Sequence, residues 1–527
     1  MRFPVNTVGQ IGIIYDRPPH ELPPNAWTHG VNVRFRDAYV EKTPGDTGVF
    51  GTPGNGAYWL LPIVVGPSLF WLQAGATSVY AWDGTSHTDI TRTSGAYTAA
   101  LNVLWTGGNL GGIPVLTNGR DIPQYWSPVS AAQALQDFPT GVNQWNAGWV
   151  CQAIRPWKQV LVAMNITKSS TVFPQMVKVS HPASAGSLAS LWNEAEPTLD
   201  AVEFELSDTD GAVVDGLPMG DAFMMYKTDQ VWGMQFIPGG RVVRYYKVLD
   251  GYGALSSRCI ADFQNGRHAV LGFGDFYVHD GTQVASPLES RLRDWLFRHI
   301  DSTNYQRSFV WHNFNRKEIW ICFPSTGASL PNTAVIWRYL DNTTAVRELD
   351  DFSFIAAGIV DDAAQPGTWN SDTAVWNTDT SVWDEETFSL VKRGGLAAMP
   401  GSPGLRAVDN GATFAGASYS AFVERVGIGI PLTREGPPDL VTVKQVSGIY
   451  PRIEGTLGGV VKVEIGTQFD KNQAINWEPA ADFVIGTTEF IPVIATGRLH
   501  SLRFSSTTSI DWRMEGYDLD IRPRGRF

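Results

Sequence analysis

One short pattern recurs along this chain and limits what it can fold into. An apolar, aromatic run turns at Gly, and a second run, usually ending in an aromatic residue, then meets Asp-Gly or a similar pair. Its fullest form lies between His268 and His299. Runs from His268 to Phe273 and from Phe276 to His279 are separated by Gly274-Asp275 and followed by Asp280-Gly281. Gly and Asp supply the positive-φ positions of hairpin turns, and β-branched and aromatic runs suit a half-buried pleated surface. The spacing then predicts a helix near 286–300. Ser286 would cap it, Pro287 would fit its first turn, and Glu289 would complete a capping box. Leu288, Leu292, Trp295, Leu296 and Ile300 share one face of that helix.

The same hairpin recurs around Trp82, Trp126, Ser180, Trp232 and Trp337, so that with His279 the six anchors stand 44 to 58 residues apart. Units of this length built from short strands predict a β-propeller of about six blades with inserted loops. The 53 Gly, 32 Pro, 20 Trp, 16 Tyr and 26 Phe, with almost no long helical period, agree with an all-β chain rich in turns. Charged residues make up only 17% of the sequence, which suits a subunit covered by neighbours as well as a large aromatic core.

Four prolines between Arg17 and Trp27 predict extended backbone there, and two short strands flank Asp37. A Gly/Pro-rich linker follows at 394–404, and alternating apolar strands run from Ala417 to Ile521, the pattern of a sandwich. The predicted organisation is therefore an extended arm and hairpin (1–55) and a propeller (56–362). A Trp/Asp-repeat loop with linker (363–404) and a β-sandwich-like domain (405–527) follow.

In the repeat loop Trp369, Trp376 and Trp383 recur every seven residues, with Asp372 and Asp379 in phase. Thr, Ser, Asn and Asp between them favour turns over a coiled coil, so short Val-Trp rungs are expected. These Trp side chains could pack on a neighbouring subunit or stack on sugar rings. Arg522, Arg524 and Arg526 form a basic tail that could meet acidic groups or phosphate, or lie solvated.

Several stretches carry a resemblance. Leu22-Pro-Pro-Asn-Ala-Trp27, followed by Gly30-Val-Asn-Val-Arg-Phe-Arg-Asp37 and a strand into Pro44-Gly45, resembles the start of tail-hub or nozzle proteins of short-tailed bacteriophages. These are also called packaged-DNA stabilisation or tail tubular proteins. Asp280-Gly281 with Ala285-Ser-Pro-Leu288, the tandem Trp-Asn and Trp-Asp steps, and Gly497-Arg-Leu-His-Ser-Leu-Arg-Phe504 before the last strand are similar to segments of the same family. The resemblance implies a structural virion protein, not an enzyme, without cofactor and assembled in the host cytoplasm into a hexameric ring of the tail. Its partners would be an adaptor or head-to-tail connector and a tail fibre or tailspike. Double-stranded DNA would be retained and later conducted during ejection, without sequence-specific contacts.

The net charge of −12 and the lack of a basic run fit a surface that does not grip DNA. Cys151, Cys259 and Cys322 are sparse and widely spaced, as expected for reduced thiols, and there is neither a leader-like apolar start nor an apolar run long enough to span a membrane. Motifs for nucleophiles, metals and dinucleotides are lacking. Gly107–Gly112 has no Gly-Lys-Ser/Thr ending, and Asp208–Asp215 lacks the ligands of a calcium loop, so both are read as turns. Glycosidase carboxylates meet in space and not in sequence, so no catalytic residue is named. A carbohydrate-binding or carbohydrate-active propeller is the alternative function, because this architecture serves both.

Overall fold

The computed structural model describes residues 2–65, 68–98, 104–237, 243–264, 266–360, 393–401, 404–432, 436 and 438–525. Among them, strands form seven four-stranded antiparallel sheets and two six-stranded ones. Blade 1 begins at Trp59–Val65, blade 2 at Thr106–Leu110, blade 3 at Trp149–Trp157 and blade 4 at Val213–Met219. Blades 5, 6 and 7 begin at Ile260–Phe263, Phe309–Asn313 and Phe354–Ile359. These innermost strands touch in sequence around a ring that closes between blades 7 and 1. The expected β-propeller is therefore present, with seven blades instead of about six.

The additional blade is assembled from two distant parts of the chain. Phe354–Ile359, Arg393–Met399 and Gly404–Val408 supply three strands, and Asp46–Val49 supplies the outermost. Asp46 pairs opposite Val408 and Val49 opposite Leu405, so the stretch read as a linker is blade strand. This blade has no aromatic anchor because its neighbours supply the bulk. Gly358 lies against Trp71 of blade 1, whose indole N–H donates to the Ile359 carbonyl at 3.1 Å. Gly395 lies against Trp311 of blade 6. Small residues on the seventh blade and indoles on both sides keep the wedge-shaped interfaces filled.

The two six-stranded sheets face each other across a core that includes Val446, Ile449, Ile521, Val461, Val463, Leu502 and Phe504. The first runs Val33–Arg36, Tyr39–Lys42, Trp512–Gly525, Val443–Gly455, Ile491–Gly497, with Arg2–Asn6 also pairing Trp512–Gly525. The second places His29–Val31 beside Ala421–Ile428, then Leu499–Ser506 and Val460–Gln468. The N-terminal residues expected as an arm thus contribute strands to both sheets of the sandwich and to blade 7. The propeller is inserted between the two halves of the sandwich, whose core continues into Phe309, Trp311 and Trp320. The Val33–Lys42 hairpin turns at Asp37-Ala38, both at positive φ, as the strands around Asp37 require.

The helix is shorter than predicted, spanning Arg293–His299. Ser286 does not cap it; its hydroxyl bonds the Asp275 carboxylate. The cap comes from Asp16, whose carboxylate accepts the N–H groups of Asp294 at 2.9 Å and Trp295 at 3.0 Å. Tyr15 stacks on Trp295 with ring centroids 4.9 Å apart. The N-terminal segment thus completes the helix end and holds it against blade 5, a role for which local sequence carries no signal.

Candidate functional site in the propeller channel

Each innermost strand is hydrogen-bonded on one side only, so its other backbone edge faces the central channel. Charged side chains cross that channel. Arg155 of blade 3 forks onto Asp215 of blade 4, with Nε to Oδ1 at 2.8 Å and Nη2 to Oδ2 at 2.6 Å. Its Nη1 donates to the Gly107 carbonyl of blade 2 at 2.8 Å, so one guanidinium ties three blades together. Asp215 also accepts the Arg258 backbone N–H at 3.2 Å. From the approach to blade 5, Arg258 reaches over to the Tyr58 carbonyl before blade 1 at 2.9 Å. Burial pulls the Arg258 pKa down to about 10, and repulsion from Arg155 adds to the effect, yet the group stays cationic at neutral pH.

Beside this plug is a cavity of about 370 Å³ in the channel, and a separate one of about 770 Å³ lies at the domain junction. The channel cavity is lined by Trp59, Arg155, Asp262, His312, Phe314 and Phe354, drawn from five blades and the turn after blade 6's first strand. His312 Nδ1 donates to the Asp262 carbonyl at 3.0 Å, and its Nε2 accepts from the Tyr339 hydroxyl at 3.2 Å. Burial lowers its pKa, so the ring is neutral and both nitrogens are used. The Asp262 side chain, in contrast, is exposed and has no hydrogen-bond or ion-pair partner among the described residues; partial desolvation raises its pKa. It is the free acceptor of the cavity.

The junction cavity adjoins a buried ion network. Arg34 of the sandwich hairpin contacts Asp409 at 2.9 Å and Glu318 of blade 6 at 3.2 Å. Arg347 of blade 6 contacts Asp409 at 2.9 Å and Asp46 of blade 7 at 2.5 Å. Asn313 and Trp320 add N–H donors to Asp409 and Glu318. Burial works against ionisation of Asp409, but Arg34 and then Arg347 reverse it and hold the carboxyl below its ordinary range. Burial raises Glu318 and Asp46 despite their arginines. The five side chains fasten the sandwich to blades 6 and 7.

Trp369, Trp376 and Trp383 fall in 361–392 and, like Arg526, lie outside the described residues. Arg522 and Arg524 sit exposed at the end of the last strand, where Arg524 donates to the Gln445 side chain at 3.0 Å. Arg522 and Arg524 lie on the sandwich and not in the channel. Gly107–Gly112 is a strand and its turn, with Gly111 and Gly112 at positive φ. Among the described residues no cluster of three or more His, Cys, Asp or Glu is placed to hold a metal ion, and no helix is long and apolar enough to cross a membrane. Asp262, His312 and Arg155 were missed in the sequence because they converge from separate blades; only the propeller repeat itself pointed to a channel.

Neither a family model nor a curated relative matches the sequence. Among solved structures, Raptor from Chaetomium thermophilum shares 8% identity at a TM-score of 0.37, over 70% of this chain and 30% of that one. An exo-β-1,3-galactanase from Phanerochaete chrysosporium, solved with β-1,3-galactotriose, shares 8% identity at a TM-score of 0.28, over 91% and 99%. AztD from Citrobacter koseri shares 9% at 0.30, over 59% and 95%. This chain spans under a third of Raptor's length. The chain is a β-propeller protein. The expectation that it is not an enzyme is corrected: galactanases occur among the structures it resembles, so a non-enzymatic role is not retained as a property of the chain. At these scores the likeness goes no further than general architecture.

Proposed function

We propose that this chain is a structural subunit of a short-tailed phage tail, forming a ring at the hub or nozzle that retains packaged DNA and conducts it during ejection. The observation that carries this reading is the buried junction from Arg34 through Asp409 to Arg347 and Asp46, which fixes sandwich and propeller as one stiff body. Ion pairs at this depth add little net stability but strongly resist rearrangement, a property suited to a subunit that must hold its shape in an assembly. The plug of Arg155, Asp215 and Arg258 implies that DNA runs along the axis of the ring, between copies, and not through each propeller. The adaptor above and a fibre or tailspike below remain the partners of this reading. Retardation of duplex DNA by the assembled protein at low salt tests the conduit: weak binding is expected, and tight, salt-sensitive binding overturns it.

A second reading, a carbohydrate-binding or carbohydrate-active propeller, is favoured by the channel cavity with its free carboxylate and aromatic lining. The exo-β-1,3-galactanase named above is a protein of this second kind. A glycan array probed with the full chain separates the two: selective sugar binding supports the second reading, and a blank array removes it.

A further inference from the structure

We propose that the channel cavity is a binding site for one neutral sugar ring, with the Asp262 carboxylate as its principal acceptor. The proposal rests on the carbohydrate reading and names the place and chemistry at which it operates. The cavity of about 370 Å³ falls at the lower end of the range for small-molecule sites, roughly 300 to 1,000 Å³.

Three features narrow the ligand. The channel-facing edges of the innermost strands, which pair with no further strand, carry both N–H donors and C=O acceptors, some of them bonded to side chains such as Arg155, and this mixture suits a ligand rich in hydroxyls better than a simple ion. Phe314 and Phe354, both partly exposed, offer aromatic faces to the C–H side of a ring. Asp262 lies exposed in the cavity lining with no side-chain partner among the described residues, so both carboxylate oxygens are open to ligand hydroxyls.

Charge favours a neutral ligand. The plug holds two guanidiniums, Arg155 and Arg258, against one carboxylate, Asp215, and the nearby Asp262 carboxylate offsets that excess, so the surroundings balance. His312 is neutral with both nitrogens bonded and serves to fix the Asp262 backbone, not to bind charge.

The test is saturation-transfer NMR of the full chain with the methyl glycosides of glucose, galactose, mannose and N-acetylglucosamine, with tetramethylammonium as the cationic probe. At least one glycoside is expected to bind, and Asp262→Ala is expected to weaken it roughly tenfold or more, the loss of a charge-assisted hydrogen bond. If that variant does not fold, Asp262→Asn, nearly identical in shape, carries the same comparison. Sugar binding unchanged by loss of the carboxylate overturns this site and leaves the carbohydrate reading standing. No binding of any glycoside overturns both, and binding of tetramethylammonium in place of sugar overturns the ligand assignment.

Discussion

The Tyr226 hydroxyl donates to Nδ1 of His268 at 2.6 Å, and the direction of that bond is fixed by its surroundings. His268 Nε2 donates to the Pro218 carbonyl at 3.0 Å, which leaves Nδ1 as the acceptor. His279 Nδ1 accepts the Gly281 N–H at 3.3 Å, so its Nε2 donates to the Tyr226 oxygen at 2.7 Å. The relay joins blades 4 and 5 and holds both imidazoles neutral in one tautomer each. Replacing Tyr226 by Phe would leave a buried acceptor on His268 and a buried donor on His279. A loss of about 2–4 kcal/mol is expected in denaturant unfolding, from two stranded polar groups.

Acid should unfold the protein through these two histidines and through His500 of the sandwich. Burial lowers the pKa of His268 to about 4 and of His279 to about 3, with the neighbouring His268 adding to the latter, and burial lowers His500 to about 4. The unfolded chain binds these protons near the ordinary histidine value, so it holds more protons than the native state below about pH 6.5. The stabilisation is complete above that value and is lost as pH falls through 6 and 5 toward the folded values. For His268 alone the loss is on the order of 3 kcal/mol. Thermal unfolding followed from pH 7.5 to pH 4.5 should show a falling midpoint, and a flat profile would contradict the neutral assignment.

The junction network predicts a larger single effect. Asp409→Ala would leave Arg34 and Arg347 facing each other without their shared carboxylate. The expected loss is about 3–5 kcal/mol, the usual result of breaking a buried pair. Chemical denaturation checks it. A loss below about 1 kcal/mol would place the pair in the surface class.

Glycine thinness of blade 7 can be tested directly. A Cβ on Gly358 would stand 2.5 Å from Cζ2 of Trp71, whereas one on Gly401 would meet nothing within 4 Å. Gly358→Ala should therefore cost about 1–3 kcal/mol by overpacking, and Gly401→Ala should be near neutral.

These details show how far the sequence could be read. Turn chemistry at Asp280-Gly281 and the aromatic ends of second strands gave the propeller, because each hairpin carries its own signal. Blade 7 has no aromatic end to its second strand: Trp71 and Trp311 of adjacent blades fill the space over its glycines, and its outer strand is Asp46–Val49. The helix cap misled for a related reason. Ser286 and Glu289 satisfy the local rule, yet Asp16, far away in sequence, reaches the helix end in the fold. Of the candidate site, Asp262 and His312 stand in ordinary strands without a local signal; only convergence in the channel makes them a site.

The most direct measurement of the central proposal is the mass of the protein in solution by mass photometry across a wide range of concentrations. A tail-ring subunit predicts a discrete closed species near six times the 57.8 kDa of one chain, growing at the expense of monomer as concentration rises. A single monomeric peak at every concentration would contradict it.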